Sequence, residues 1–139
     1  MTADRLPAAL NGIYRMPVNA SPMRDAAHGT GCAWVELELN RVVDKSTLLD
    51  VIAEEFHFPD GFGRNWDALA DCMRDLSWRP AQGWVVVLRN SAGFAAAAPA
   101  AHATLLKILE AAAADWRRRG RVFVILTGSP PNLPAFPVL

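Results

Sequence analysis

The chain has 139 residues, 52% of them apolar and 20% charged, and its 14 basic and 14 acidic side chains cancel to a formal net charge of zero. That balance suits one globular domain with a sizeable core and excludes extended disorder, while zero net charge gives no global attraction to nucleic acid or to a membrane surface. Two cysteines, Cys32 and Cys72, are too few for a disulfide framework and are expected to be reduced. No stretch reaches the roughly eighteen apolar residues of a membrane span, and the first residues lack the cationic head and apolar run of an export signal, so a cytoplasmic location is expected.

In chain order, residues 1–11 are expected to be loose, and Gly12-Ile13-Tyr14-Arg15-Met16 reads as a short edge strand ending at Pro17. Ser21-Pro22 predicts an N-cap with proline at the first helical position, opening a helix to about His28 that Gly29 and Gly31 close. From Trp34 to Leu39 apolar and polar residues alternate, which predicts a strand, and strand, helix, strand together suggest a βαβ unit. Asp44 is a plausible N-cap for a helix carrying Leu48, Leu49, Val51, Ile52 and Phe56 inward. Further on, Trp84-Val85-Val86-Val87-Leu88 and Val122 to Thr127 are continuous apolar runs of the kind found in buried parallel strands. Between them a helix is predicted from about Pro99 to Arg119, with Leu105, Leu109, Ala112 and Trp116 on one face and arginines in its last turn. The alanine-rich stretch Ala95 to Ala103 reads as low in complexity. Prolines at 130, 131, 134 and 137 forbid regular structure in the tail, which is expected to lie on the surface or to be disordered.

The most informative stretch is Phe58-Pro59-Asp60-Gly61-Phe62-Gly63-Arg64-Asn65-Trp66-Asp67-Ala68-Leu69-Ala70-Asp71-Cys72-Met73. Pro59, Gly61 and Gly63 make a turn, Asn65 stands where an N-cap is wanted, and a helix is predicted from Trp66. At 100° per residue Trp66, Leu69, Ala70, Met73 and Leu76 fall on one face, whereas Asp67, Asp71, Arg74 and Asp75 are displayed on the other. Asp67 suits the positive end of the helix dipole; Asp71 lies past that turn, close to two like charges, at a cost of a few tenths of a kcal/mol. From Asp50 to Asp75 seven acids face two bases, a local balance of −5. A repulsive patch kept at a cost is more readily explained by a partner than by the fold.

The pattern F-P-x-x-F-G-x-N-W-D-A-L-x-D-C-M resembles the signature of the barstar family, intracellular protein inhibitors of barnase-type ribonucleases. The resemblance extends over about residues 33–127 of a single domain spanning 1–139, with 12–31 as an N-terminal βα extension and 128–139 as a proline-rich tail. It implies an α/β fold with a small, mainly parallel sheet of three or four strands packed with helices. It implies no enzymatic activity, no cofactor and no metal, and a monomer that binds a ribonuclease rather than nucleic acid or a membrane. Under it, Asp67 and Asp71 enter the cationic active site of the nuclease where the substrate phosphate would lie. Gly63 and Asn65 form the loop beside them, and Phe62 matches an aromatic position. Arg74 departs from the family pattern by adding a cation to the acidic face, and Trp78, in the loop just after the helix, is either a contact residue of the same surface or packed. Gly61 and Ala70 stand where the best-known members carry large aromatics, which points to a related nuclease or toxin with its own loop to fill the space.

Two rival readings remain from the residues. One is a binding module that keeps the scaffold with a partner that is not a ribonuclease. The other is a metal-dependent hydrolase holding Mg²⁺ with Asp67, Asp71 and Asp75, although carboxylates strung along one helix make a poor cage.

Overall fold

Strand propensity and helix propensity are separated cleanly along the chain, and the computed structural model, which describes residues 6–137, follows that separation. The elements run β1 (Gly12–Arg15), α1 (Ser21–Gly29), β2 (Cys32–Glu38), α2 (Lys45–Glu55), α3 (Trp66–Asp75), β3 (Gly83–Arg89), α4 (Ala92–Ala97), α5 (Pro99–Arg118) and β4 (Val122–Thr127). The four strands form one all-parallel sheet in the order β1-β4-β3-β2.

The apolar runs in β3 and β4 have no polar face because both faces are covered. Trp84, Val86 and Leu88 of β3 and Phe123 and Ile125 of β4 pack with α2, α3, α4 and α5 in one core, which also holds Val35 and Leu37 of β2. The alternate residues Val85, Val87, Val122, Val124 and Leu126 pack with Met23, Ala26 and Ala27 of α1 and with Leu6 in a second. The chain crosses from β1 to β2 over the α1 face and returns through β3 to β4 over the opposite face. Reversing direction while changing face keeps every parallel crossover the same hand, as a twisted sheet requires.

The N-terminal strand, helix, strand is a parallel crossover within the sheet, as its order suggests, but its strands are not neighbours: β1 and β2 lie at opposite edges, and β1 pairs with β4 in the register Gly12 to Val124. Two expectations need correction. Residues 6–11 are not loose, whereas 1–5 lie outside the described residues. Leu6 is buried and its amide donates to Thr30 Oγ1 at 2.8 Å. Asn11 bridges three backbone groups, donating to the Ala113 and Arg121 carbonyls and accepting from Phe123 N at 2.9 Å, so it closes the ladder where β1 begins. Ser21 is the first helical residue of α1 rather than its cap; Asn19 Oδ1 accepts the Ser21 amide instead. An element that no sequence signal predicts is added within the alanine-rich stretch: α4, built around the buried Phe94.

The tail carries no helix or strand among residues 128–137, yet it is held. Arg15 N donates to the Pro134 carbonyl at 2.8 Å, and the Phe136 ring stands edge-on to Tyr14 at 4.9 Å. The tail therefore covers the β1 edge, whose open amides would otherwise invite another strand. Among the described residues no helix is long and apolar enough to cross a membrane.

Candidate functional site

The loop from Phe56 to Asn65 is fixed from beneath by aromatic packing. Phe56 is fully buried, Phe58 N donates to the Ala53 carbonyl at 2.9 Å, and the Phe58 ring meets Phe62 edge-on at 4.8 Å and Trp78 edge-on at 5.7 Å. Trp78 is half-buried, with its indole N–H donating to the Phe56 carbonyl at 3.0 Å. Phe62 and Trp78 thus hold the loop while keeping part of their surface at the solvent. Arg79 adds a second tie, donating to the Glu55 carbonyl at 2.8 Å.

Three residues of this loop have left-handed backbone: His57 at φ 55°, Gly61 at 89° and Arg64 at 52°. Only Gly61 does so without strain, which accounts for glycine there. Arg64 is retained in that conformation by its ion pair with Asp50 and by Ser46 Oγ at 3.3 Å, so the loop is anchored to α2. Gly63 answers a different need. A Cβ there would stand 3.3 Å from the Ala68 Cβ and 3.4 Å from Asn65 Nδ2, so the loop or the first turn of α3 would have to give by a few tenths of an ångström.

Asn65 caps α3 as its position predicts: Oδ1 accepts the Ala68 amide at 2.7 Å, and Nδ2 reaches the Gly63 carbonyl at 3.3 Å. Leu69 and Met73 are fully buried beneath the helix, each contributing about 1.5–3 kcal/mol of burial. Trp66 is only half-buried, with the Lys45 ammonium 5.2 Å above its ring. On the outer face Asp67, Asp71, Arg74 and Asp75 are all exposed, and Asp71 accepts from Arg74 at 2.9 Å across one turn. Among the described residues Asp67 and Asp75 make no ion pair.

The C-terminal end of α3 is finished by α5, a feature that no local sequence signal announces. The last four carbonyls of a helix have no partner within it. Here the Trp116 indole donates to the Met73 carbonyl at 2.8 Å, and Arg119 Nη2 donates to the Arg74 carbonyl at 2.5 Å. Leu76 N closes on Cys72 O at 3.1 Å with Leu76 in the left-handed region at φ 50°. Both ends of the helix are therefore locked, and the outer face is carried as a rigid ridge.

The ridge is acidic in effect as well as in composition. Burial pushes the Cys72 thiol up from its ordinary value, and the charges of Asp75 and Asp71 push it further. Cys32, on the far side of the molecule, is raised to about 11 by burial alone; both cysteines are free. Among the described residues no group of three or more His, Cys, Asp or Glu side chains is placed to hold a metal ion, so Asp67, Asp71 and Asp75 do not form a cage. What the arrangement offers is a pair of carboxylates one turn apart, preorganised and open to solvent, suited to a cationic partner surface.

No curated protein matches the chain significantly. A family model described as Barstar (barnase inhibitor) matches residues 32–128, which span β2 to β4 and include the whole acidic ridge. With a match over most of its length, the four-stranded parallel sheet and α3 set as described, the chain belongs to the barstar family.

Proposed function

We propose that this protein is a stoichiometric inhibitor of a ribonuclease, acting in the cytoplasm as an immunity or antitoxin protein. Asp67 and Asp71 enter the cationic active site in place of substrate phosphate. The observation that carries the reading is the pair of exposed carboxylates at i and i+4 on a helix fixed at both ends. The inhibitor performs no chemistry. Its task is to present charge without ordering anything at the moment of binding, since side chains and loops already in place avoid much of the entropy cost of association. Asn65 and Gly63 set the loop beside the acids, Phe62 and Trp78 offer apolar edges next to it, and Arg74 tempers Asp71.

The Asp71 to Arg74 pair favours one second reading, in which the scaffold binds a partner that is not a ribonuclease, because one of the two carboxylates is already part-satisfied.

Both readings meet in one experiment. The tagged protein is used to capture nucleases from its own cell, and RNA cleavage by the captured enzyme is titrated with the wild type and with the Asp67→Ala/Asp71→Ala double variant. Cleavage that falls to zero at one-to-one with the wild type, and is restored with the variant, is the expected result. Equal inhibition by the two proteins overturns the role of the carboxylates. Capture of a protein with no ribonuclease activity supports the second reading.

A further inference from the structure

Beside the acidic ridge lies a second surface of opposite sign. Arg117, Arg118, Arg119 and Arg121 cluster where α5 ends, with Asp115 as the one acid among them. Asp115 serves both Arg118, at 3.0 Å, and Arg119, and this shared pairing holds its carboxyl below the ordinary carboxylate range despite the opposing effect of partial burial. The Arg119 guanidinium lies over the Trp116 ring at 3.6 Å, and Arg121 stands 6.0 Å from the same centroid. Arg119 and Arg121 line a groove of about 440 Å³ that runs between the end of α3 and the end of α5, with Trp84 and Trp116 in its wall and Asp75 at its acidic lip, whereas Arg117 and Arg118 face away from it. Over the end of α5 as a whole four cations face one acid, and at the groove itself Arg119, shared with Asp115, and Arg121 stand opposite Asp75. Arg119 also donates to the Arg74 carbonyl, so the groove and the ridge share one connected surface.

We infer that this groove is a second contact site for the same protein partner, and that its occupant is a carboxylate side chain, Asp or Glu, projecting from the rim of the partner's cationic cleft. The inference rests on the inhibitor reading for the identity of the partner, while the chemistry of the groove stands on its own residues. The Arg119 guanidinium, stacked on an indole, has lost part of its hydration and is held in place, which suits a carboxylate better than a diffuse anion atmosphere, with Arg121 beside it as a second cation. A partner that opposes α3 with cations and the end of α5 with acids matches this surface in one orientation. Two adjoining patches of opposite sign therefore select partners by penalising an all-cationic nuclease, which would meet Arg119 and Arg121 as like charges.

The test uses the groove without any ribonuclease. The indole N–H signals of Trp84 and Trp116 and the Nε–H signal of Arg119 are followed by NMR during titration with N-acetyl-Gly-Glu-Glu-Gly-amide, with its Gln-Gln counterpart and with tetrauridylate. The acidic peptide is expected to shift these signals saturably at millimolar concentration, with affinity at least threefold lower in Arg119→Gln and in Arg121→Gln; the amide peptide is expected to leave them unmoved. Arg121→Gln is the safer variant, because among the described residues the Arg121 side chain makes a single long hydrogen bond, to the Ala81 carbonyl at 3.2 Å. Equal shifts with both peptides, or none with either, overturn the inference. Tighter binding of tetrauridylate overturns it in favour of an RNA contact. Loss of inhibition in Asp67→Ala/Asp71→Ala is read in a separate assay, so the groove can fail while the inhibitor reading stands.

Discussion

The indole N–H of Trp116 donates to the carbonyl of Met73 at 2.8 Å, entirely inside the protein, and so one side chain of α5 completes the backbone of the helix that carries the acidic ridge. Trp116→Phe keeps much of the apolar contact and removes only the donor. The Met73 carbonyl would then be buried without a partner, a loss of about 1–3 kcal/mol. Chemical denaturation is expected to show that loss. Hydrogen exchange is expected to show faster opening at the last turn of α3 than at β3 or β4. An unchanged exchange rate in that turn would mean that Arg119 alone secures the helix end.

The two ends of α3 differ in how legible they are from the amino-acid sequence. Its start is written locally: Asn65 caps Ala68 N and Trp66 begins the helix as spacing predicts, because an N-cap needs only residues three apart. The same holds for Asp44, which caps α2 through Thr47 N at 2.9 Å. Its end is not local, since the donors come from residues 43 and 45 positions away. Pairing of β1 with β4 is hidden for a similar reason: periodicity fixes which residues form a strand, and the partner is chosen by the whole sheet. The helix α4 is hidden because a run of alanines has no polar face from which a period could be read. At the site, the exposure of Asp67 and Asp71 follows from the helical wheel. The tie between Arg64 and Asp50, and the arginine groove at the end of α5, depend on packing between elements.

Two glycines make a matched pair for the packing. In Gly83→Ala the new Cβ would stand 2.6 Å from the Val122 carbonyl oxygen and 3.0 Å from Cys32 Sγ, in the middle strand of three, where the nearest neighbour is backbone and cannot swing aside. A loss of about 3 kcal/mol or more is expected, at the upper end of overpacking costs. Gly93, inside α4, has nothing within 4 Å of an added Cβ. Gly93→Ala is expected to gain about 0.5–1 kcal/mol from the reduced freedom of the unfolded chain. Urea midpoints that move in the same direction for both would contradict the packing described.

Acid should destabilise the protein in two stages. His102 is buried at 8% exposure, its Nε2 has no hydrogen-bond partner, and burial holds its pKa below the ordinary value against the opposing pull of a bond to the Ser129 backbone. The unfolded chain takes up this proton near pH 6.5 and the folded chain only at lower pH. The contribution is therefore complete above about pH 6.5 and is lost as pH falls toward the folded value. Asp44 follows the same sign lower down: the Thr47 amide and hydroxyl hold its carboxyl below the ordinary range, so its contribution is present above about pH 4 and fades below. Denaturation at pH 7.5, 5.5 and 3 is expected to resolve both stages. His102→Leu should abolish the first and leave the second. Retention of the first stage in that variant would assign it to another group.

Arg74 tests how the ridge trades stability against recognition. Its pair with Asp71 is exposed, with 49% and 76% of the two side chains open to solvent, so Arg74→Ala should cost no more than about 1 kcal/mol of stability. The same change takes the balance over residues 50–75 from −5 to −6 and leaves Asp71 free for a partner. Faster association with the captured ribonuclease is expected at low salt, with the gain shrinking as ionic strength rises, because steering acts over the Debye length. Asp71→Ala should act oppositely, costing about 2–5 kcal/mol of binding. That is the general cost of truncating one member of a buried charge pair, on a scale set in part by barnase-type complexes. Stopped-flow association rates at two salt concentrations separate the cases: if Arg74→Ala slows association or weakens the complex, Arg74 touches the partner directly and is not simply a competitor for Asp71.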